Sequence, residues 1–116
     1  MLDKLVYANK DWGRTAVINE HSGVSIYQAF VVNGQSSIHK HERDVNVIVS
    51  IDATIMILFF DDGPNKSSSS SILLFPGSRI TIESGRIHQF VVVVPGAIIE
   101  IYYSEKHDFD IVRFNV

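Results

Sequence analysis

The apolar residues of this chain come in short runs of Val, Ile, Phe and Tyr, and each run is stopped before it reaches helical length. The stops are turn formers: Asn33-Gly34, Asp61-Asp62-Gly63-Pro64, Pro76-Gly77, Ser84-Gly85 and Pro95-Gly96. No window combines a 3.6-residue apolar period with a capping residue, so little or no helix is expected. Strands are expected over residues 14–19, 25–32, 37–41, 45–51, 54–60, 71–75, 79–82, 88–93, 97–103 and 110–114. Many short strands at close turn spacing exclude a parallel α/β architecture. They point to an all-β, antiparallel sandwich or barrel.

A chain of 116 residues forms one domain with a core of its own. Its 46% hydrophobic and 20% charged residues are ordinary globular composition and exclude wholesale disorder. The net charge of −3 and the lack of any Lys/Arg cluster speak against a nucleic-acid partner. Without cysteine there is no disulfide framework, thiolate nucleophile or Cys-type zinc site. The longest apolar stretches, 55–60 and 90–97, fall far short of the roughly 20 residues that span a bilayer. Asp3, Lys4 and Lys10 interrupt any signal-like N-terminal run. The expectation is therefore a cytoplasmic protein with no membrane partner.

Two runs, 55–60 (IMILFF) and 91–94 (VVVV), are apolar on both faces. A strand with one wet face alternates, so these need cover on both sides, from a second sheet or from another subunit. A homodimer is the expectation. The polar stretch 61–70, running into five consecutive serines at 67–71, reads as a hairpin loop.

Five histidines are present: His21, His39, His41, His88 and His107. His21 and His107 stand in loop-like contexts and read as solvated surface. His39 and His41 are two apart, so on a strand both imidazoles point to one face, which is half of a metal site. His88 opens a later strand and could complete it. Asp44 and Asn46 follow on the same parity as each other. Which of them turns an oxygen inward depends on the bend after His41, and both stay open.

With these histidines the chain resembles the cupins. Residues 34–53, GQSSIHKHERDVNVIVSIDA, resemble the first cupin motif, built around a glycine, a His-x-His pair, a glutamate and a second glycine. Residues 77–92, GSRITIESGRIHQFVV, resemble the second, with its glycines and third histidine. The intervening residues 54–76 are enough for one hairpin. The chain departs from the motifs at several places. Asn46 stands where the family has its metal-binding glutamate, Ala53 replaces the second glycine, Glu83 a proline and Val92 an asparagine. Within the cupins, three anchors resemble the cupin domain of type II mannose-6-phosphate isomerases: Asp11-Trp12-Gly13, the run YQAFVV at 27–32, and DIVRF at 110–114. The resemblance implies a double-stranded β-helix, or jelly-roll barrel, over the whole of 1–116. Its core would lie at about 14–103, with an N-terminal arm over 1–13 and a closing C-terminal strand over 110–116.

The resemblance also implies a divalent metal ion (Zn, Ni, Mn, Co or Fe) held by His39, His41 and His88, with Asn46 as a fourth, neutral oxygen donor. Neutral imidazoles suit each of these ions. Interconverting an aldose and a ketose moves a proton between C1 and C2 and needs a base. Glu100 is the candidate, because it is the one charge inside the apolar strand 97–103 and the resembled family carries a Glu there. Tyr102 shares its face and could hydrogen-bond a sugar. Arg43 and Arg113 are the candidates for gripping a phosphate or carboxylate, since a guanidinium matches both. Trp12 reads as an N-terminal anchor. The leading expectation is a small metal-binding cupin that binds or isomerises a sugar or sugar phosphate. Two alternatives stand beside it. One is a three-His Fe(II) dioxygenase of a small organic acid or thiol, which needs no carboxylate ligand. The other is a non-catalytic binding module.

Overall fold

The structure is a computed structural model and describes residues 4–20, 23–103 and 111–114. Among these residues there are eleven strands and no helix, so no helix is long and apolar enough to cross a membrane. The strands are β1 (Ala8–Lys10), β2 (Gly13–Asn19), β3 (Val24–Phe30), β4 (His39–His41), β5 (Val45–Ser50), β6 (Thr54–Phe59), β7 (Ser70–Leu74), β8 (Arg79–Ile82), β9 (His88–Val94), β10 (Ala97–Tyr103) and β11 (Ile111–Arg113). Ten correspond to the strands expected from the apolar runs, with ends shifted by a residue or two. The eleventh, β1, lies inside the expected N-terminal arm. His21, His107 and Asp110 lie outside the described residues.

The strands form two antiparallel sheets, one ordered β1-β2-β3-β10-β5-β8 and the other β11-β4-β9-β6-β7. The runs β3-β10-β5-β8 and β11-β4-β9-β6 join strands distant in sequence, as in a jelly roll, while β1-β2-β3 and β6-β7 are hairpin neighbours. The core lies between the sheets. Ile48 and Ile98 from the first meet Ile55, Ile57, Phe59, Leu74, Phe90 and Val92 from the second. The IMILFF run resolves into alternation: Ile55, Ile57 and Phe59 are buried, while Met56 and Leu58 on the other face are half-buried.

Pairing register carries the chemistry into the barrel. Residues directly opposite on neighbouring antiparallel strands share a face. His39 is opposite His88 on one side and Arg113 on the other, and His88 is opposite Phe59. One inward row of the second sheet therefore reads Arg113–His39–His88–Phe59. In the first sheet, Tyr102 is opposite Asn46, and Glu100 lies between Ile48 and Ile26. The apolar half of the barrel fills one end, around β6, β7 and β8. The other end, beside the edge strands β1 and β11, is left open.

Candidate metal centre and cavity

The open end is a cavity of about 800 Å³ between the sheets. His39 and His41 enter its wall from β4, and His88 lies behind them, fully buried. One ring nitrogen from each of the three lies within 4.8 Å of the others. Ring centroids are 4.3 Å apart for His39 and His88, 5.3 Å for His39 and His41, and 5.7 Å for His41 and His88.

The backbone sets the tautomers of two of these rings. Nδ1 of His39 lies 2.8 Å from the Ser37 carbonyl oxygen, and Nδ1 of His88 lies 2.8 Å from that of Arg86. A carbonyl only accepts, so each Nδ1 carries the proton and each Nε2 presents a lone pair. His88 Nε2 is buried without a hydrogen-bond partner. Burial also keeps the rings neutral. Desolvation holds His39 below its ordinary value, with the charge of Arg113 adding to the effect. Desolvation, together with the neighbouring His39 and His41, takes His88 down to about 3. A neutral imidazole with a buried, unpartnered Nε2 is the state a divalent ion needs, so the three residues fit a metal.

On the facing sheet, Glu100 is buried at 3% exposure and lines the same cavity. Gln28 Nε2 donates to its Oε2, and Asn46 Nδ2 donates to its Oε1 at 3.3 Å. The Tyr102 hydroxyl also bonds to it. These donors favour the carboxylate, but desolvation outweighs them, and the Glu100 pKa is pushed up to about 7. Tyr102 is held well above the ordinary phenol value by burial and by the Glu100 charge, so it stays a hydroxyl donor. Its ring centroid is 4.9 Å from that of His41, which joins the two sheets across the floor of the cavity.

The other expected site residues separate. Arg113, at the end of β11, lines the cavity beside His39. Arg43 is exposed on the bend between β4 and β5 and does not line the cavity. Asn46 and Asp44 are both buried. Asn46 gives its amide nitrogen to Glu100, and its Oδ1 has no hydrogen-bond partner. The Asp44 charge acts on Tyr102. Trp12 packs on Phe30 with ring centroids 5.1 Å apart, and the same ring lines the cavity.

Among the cavity residues not singled out from the sequence, two bear directly on the chemistry. Gln28 reaches Glu100 from a strand 72 residues away. Only strand order brings them together, and nothing local to the sequence marks the pair. Lys10 sits on the unexpected strand β1 and lines the mouth. A charge beside a Trp-Gly turn was its one available signal.

No family model and no curated protein matches the sequence. Solved structures do match. The capsular polysaccharide assembling protein CapF from Staphylococcus aureus superposes with a TM-score of 0.76 at 13% identity, over 99% of this chain and 34% of CapF. KdgF from Halomonas sp. gives 0.72 at 12% identity, over 87% of this chain and 89% of KdgF. An RmlC-like cupin from Shewanella frigidimarina gives 0.69 at 13%, over 89% of this chain and 87% of that one. The chain has the cupin fold. It spans about a third of the length of CapF, so what it shares with CapF is a domain. Within this fold the three histidines occupy the inner face of the sheet that holds β4 and β9.

Proposed function

We propose that this cupin holds a divalent metal on His39, His41 and His88 and takes a carbohydrate, free or phosphorylated, into the cavity for aldose–ketose isomerisation. The observation that carries the reading is a pairing within one cavity. Three imidazoles converge on one side, two of them (His39 and His88) with pKa values lowered by burial, and a carboxylate with a pKa of about 7 faces them from the other. Glu100 is set between base and acid at neutral pH, as proton shuttling requires. A metal on the imidazoles would supply Lewis-acid polarisation of the sugar carbonyl.

The chain's own residues supply the rest. Ionised Glu100 takes the proton from C2 of the aldose and returns it to C1, while the hydroxyl proton passes from O2 to O1. Substrate and product are isomers, and nothing is consumed. Gln28 and Asn46 hold the two carboxylate oxygens, so one orientation of Glu100 is fixed before substrate arrives. Tyr102 is protonated beside it and donates to a sugar oxygen or to Glu100 itself. The test is solvent-deuterium incorporation at carbon, with metal-loaded protein and a panel of aldoses and their phosphates. Incorporation that disappears in Glu100→Gln supports the reading. No incorporation across the panel, with metal bound, removes it and leaves a binding module.

One observation favours a second reading. The histidine group holds three imidazoles and no carboxylate, which suits a three-His Fe(II) dioxygenase of a small organic acid or thiol. Oxygen uptake by Fe(II)-loaded protein with such a substrate, absent with Zn, would put this reading first.

A further inference from the structure

We propose that the two cations at the cavity mouth, Lys10 and Arg113, form an anion clamp that makes the ligand of this cupin a sugar bearing a carboxylate or phosphate. The proposal deepens the reading above and rests on it for the sugar itself.

The clamp follows from strand order. β1 is the outermost strand of one sheet and β11 the outermost strand of the other, and the cavity opens beside both. Lys10 comes from the first edge and Arg113 from the second, and both side chains line the cavity. Among the described residues they are the only Lys or Arg in its lining, and Glu100 at the floor is the only carboxylate. Among the described residues neither cation is ion-paired.

Register explains why Lys10 reaches inward. It is opposite Gly13 of β2, and Gly13 is opposite Phe30 of β3. The row reads Lys10, no side chain, Phe30. Gly13 cannot be larger, because a Cβ there would lie 1.8 Å from the Ala29 carbonyl oxygen at a φ of +152°. The gap leaves the lysine a path across β2 toward the cavity. On the other edge, Arg113 is opposite His39, so its guanidinium is on the histidine side of the sheet. The effect of its charge on His39 and Tyr102 places it within electrostatic reach of both. An ammonium and a guanidinium lining one opening attract an anion, and the guanidinium fork matches a carboxylate or phosphate. A sugar anchored by its charged end at the mouth would extend its other end toward Glu100 and the histidines.

The test is titration calorimetry at low ionic strength with glucose, glucuronate and glucose 6-phosphate, on the protein with and without added Zn. At least one anionic sugar should bind about tenfold or more tighter than glucose, and the anion that does so names the group read. Raising the salt should weaken that binding, as surface charge pairs are screened. Lys10→Ala and Arg113→Ala should each weaken the anion about tenfold and leave metal stoichiometry and melting temperature unchanged. Lys10→Arg should largely retain the affinity. Equal affinity for all three sugars, no saturable binding of either anion, or unchanged anion affinity in both alanine variants would overturn the clamp. The result is separable from the isomerase reading. Charge-dependent binding without turnover sinks the isomerase and keeps the clamp, whereas turnover of neutral sugars with a KM indifferent to Lys10 and Arg113 does the reverse.

Discussion

At the scale of single residues, the imidazoles should matter for metal and little for folding. His39→Ala and His88→Ala should each reduce bound metal from near one equivalent to less than a tenth, read by elemental analysis after dialysis. Stability without metal should change by less than about 2 kcal/mol, because removing His88 also removes a buried nitrogen that has no partner. Outright unfolding of either variant would make these residues structural and leave the metal site without its basis. Glu100 sets the pH behaviour. Its folded pKa of about 7 lies above its reference value of 4.5, so the folded state holds the proton more tightly than the unfolded chain. The resulting stability is complete below pH 4.5 and is lost as pH rises through 7, amounting to about 3 kcal/mol for a shift of this size. The buried histidines, held below 6.5, contribute a rise of opposite sign over the same range, so the loss should appear as the difference between wild type and Glu100→Gln in denaturant titrations of metal-free protein from pH 4.5 to 8. Glu100→Gln should flatten the contribution, keep the metal and lose turnover. In the wild type, turnover should rise through pH 7 as the base ionises. A flat profile with Glu100 intact would take it out of the mechanism.

At the scale of elements, the site was legible where one strand carries the signal and illegible where two strands must meet. His39 and His41 share a face by period two alone, and Glu100 stands out as a charge in an apolar strand. His88 could be offered only as the start of a later strand, and by the resemblance of its motif, because its register against His39 is not written locally. Gln28 and Lys10 depend wholly on strand order. β1 was missed because Ala-Asn-Lys carries no strand propensity; its pairing with β2, rather than its composition, makes it a strand. That pairing turns on Gly13, which gives a prediction for the element. Gly13→Ala must push β2 away from the Ala29 carbonyl. It should cost about 3 kcal/mol and lower the melting temperature by roughly 10 °C. It should also weaken binding of a charged sugar, since the β1–β2 hairpin delivers Lys10. Metal stoichiometry should stay unchanged, because none of the three histidines lies on this hairpin. A Gly13→Ala protein as stable as wild type would mean that β2 can shift without strain.

At the scale of the molecule, the two ends of the barrel differ, and the difference bears on self-association. The end beside β1 and β11 is open, with an apolar lining that carries a few charged and polar groups suited to a ligand. The opposite edge of the second sheet is β7, where Ile72 is 44% exposed and Leu73 is 46% exposed. Ile72 is opposite core residue Ile57, and Leu73 is opposite Met56, so the strand shows apolar side chains on both of its faces. Met56 and Leu58 continue the outer face inward as half-buried residues, and Phe75 and Val93 are exposed nearby. No lysine or proline lies within β7 to guard the edge. An unguarded apolar edge pairs readily with another chain. A homodimer, as expected from the doubly apolar runs, would find a pairing edge here, and pairing through it would leave the ligand cavity at the far end clear. Sedimentation at micromolar concentration should give a dimer, and Leu73→Lys should shift it to monomer. Metal content and ligand affinity should be retained, because nothing from β7 lines the cavity. A wild-type monomer at about 100 μM would show that the exposed edge is tolerated in isolation. A dimer unaffected by Leu73→Lys would place the interface on another face.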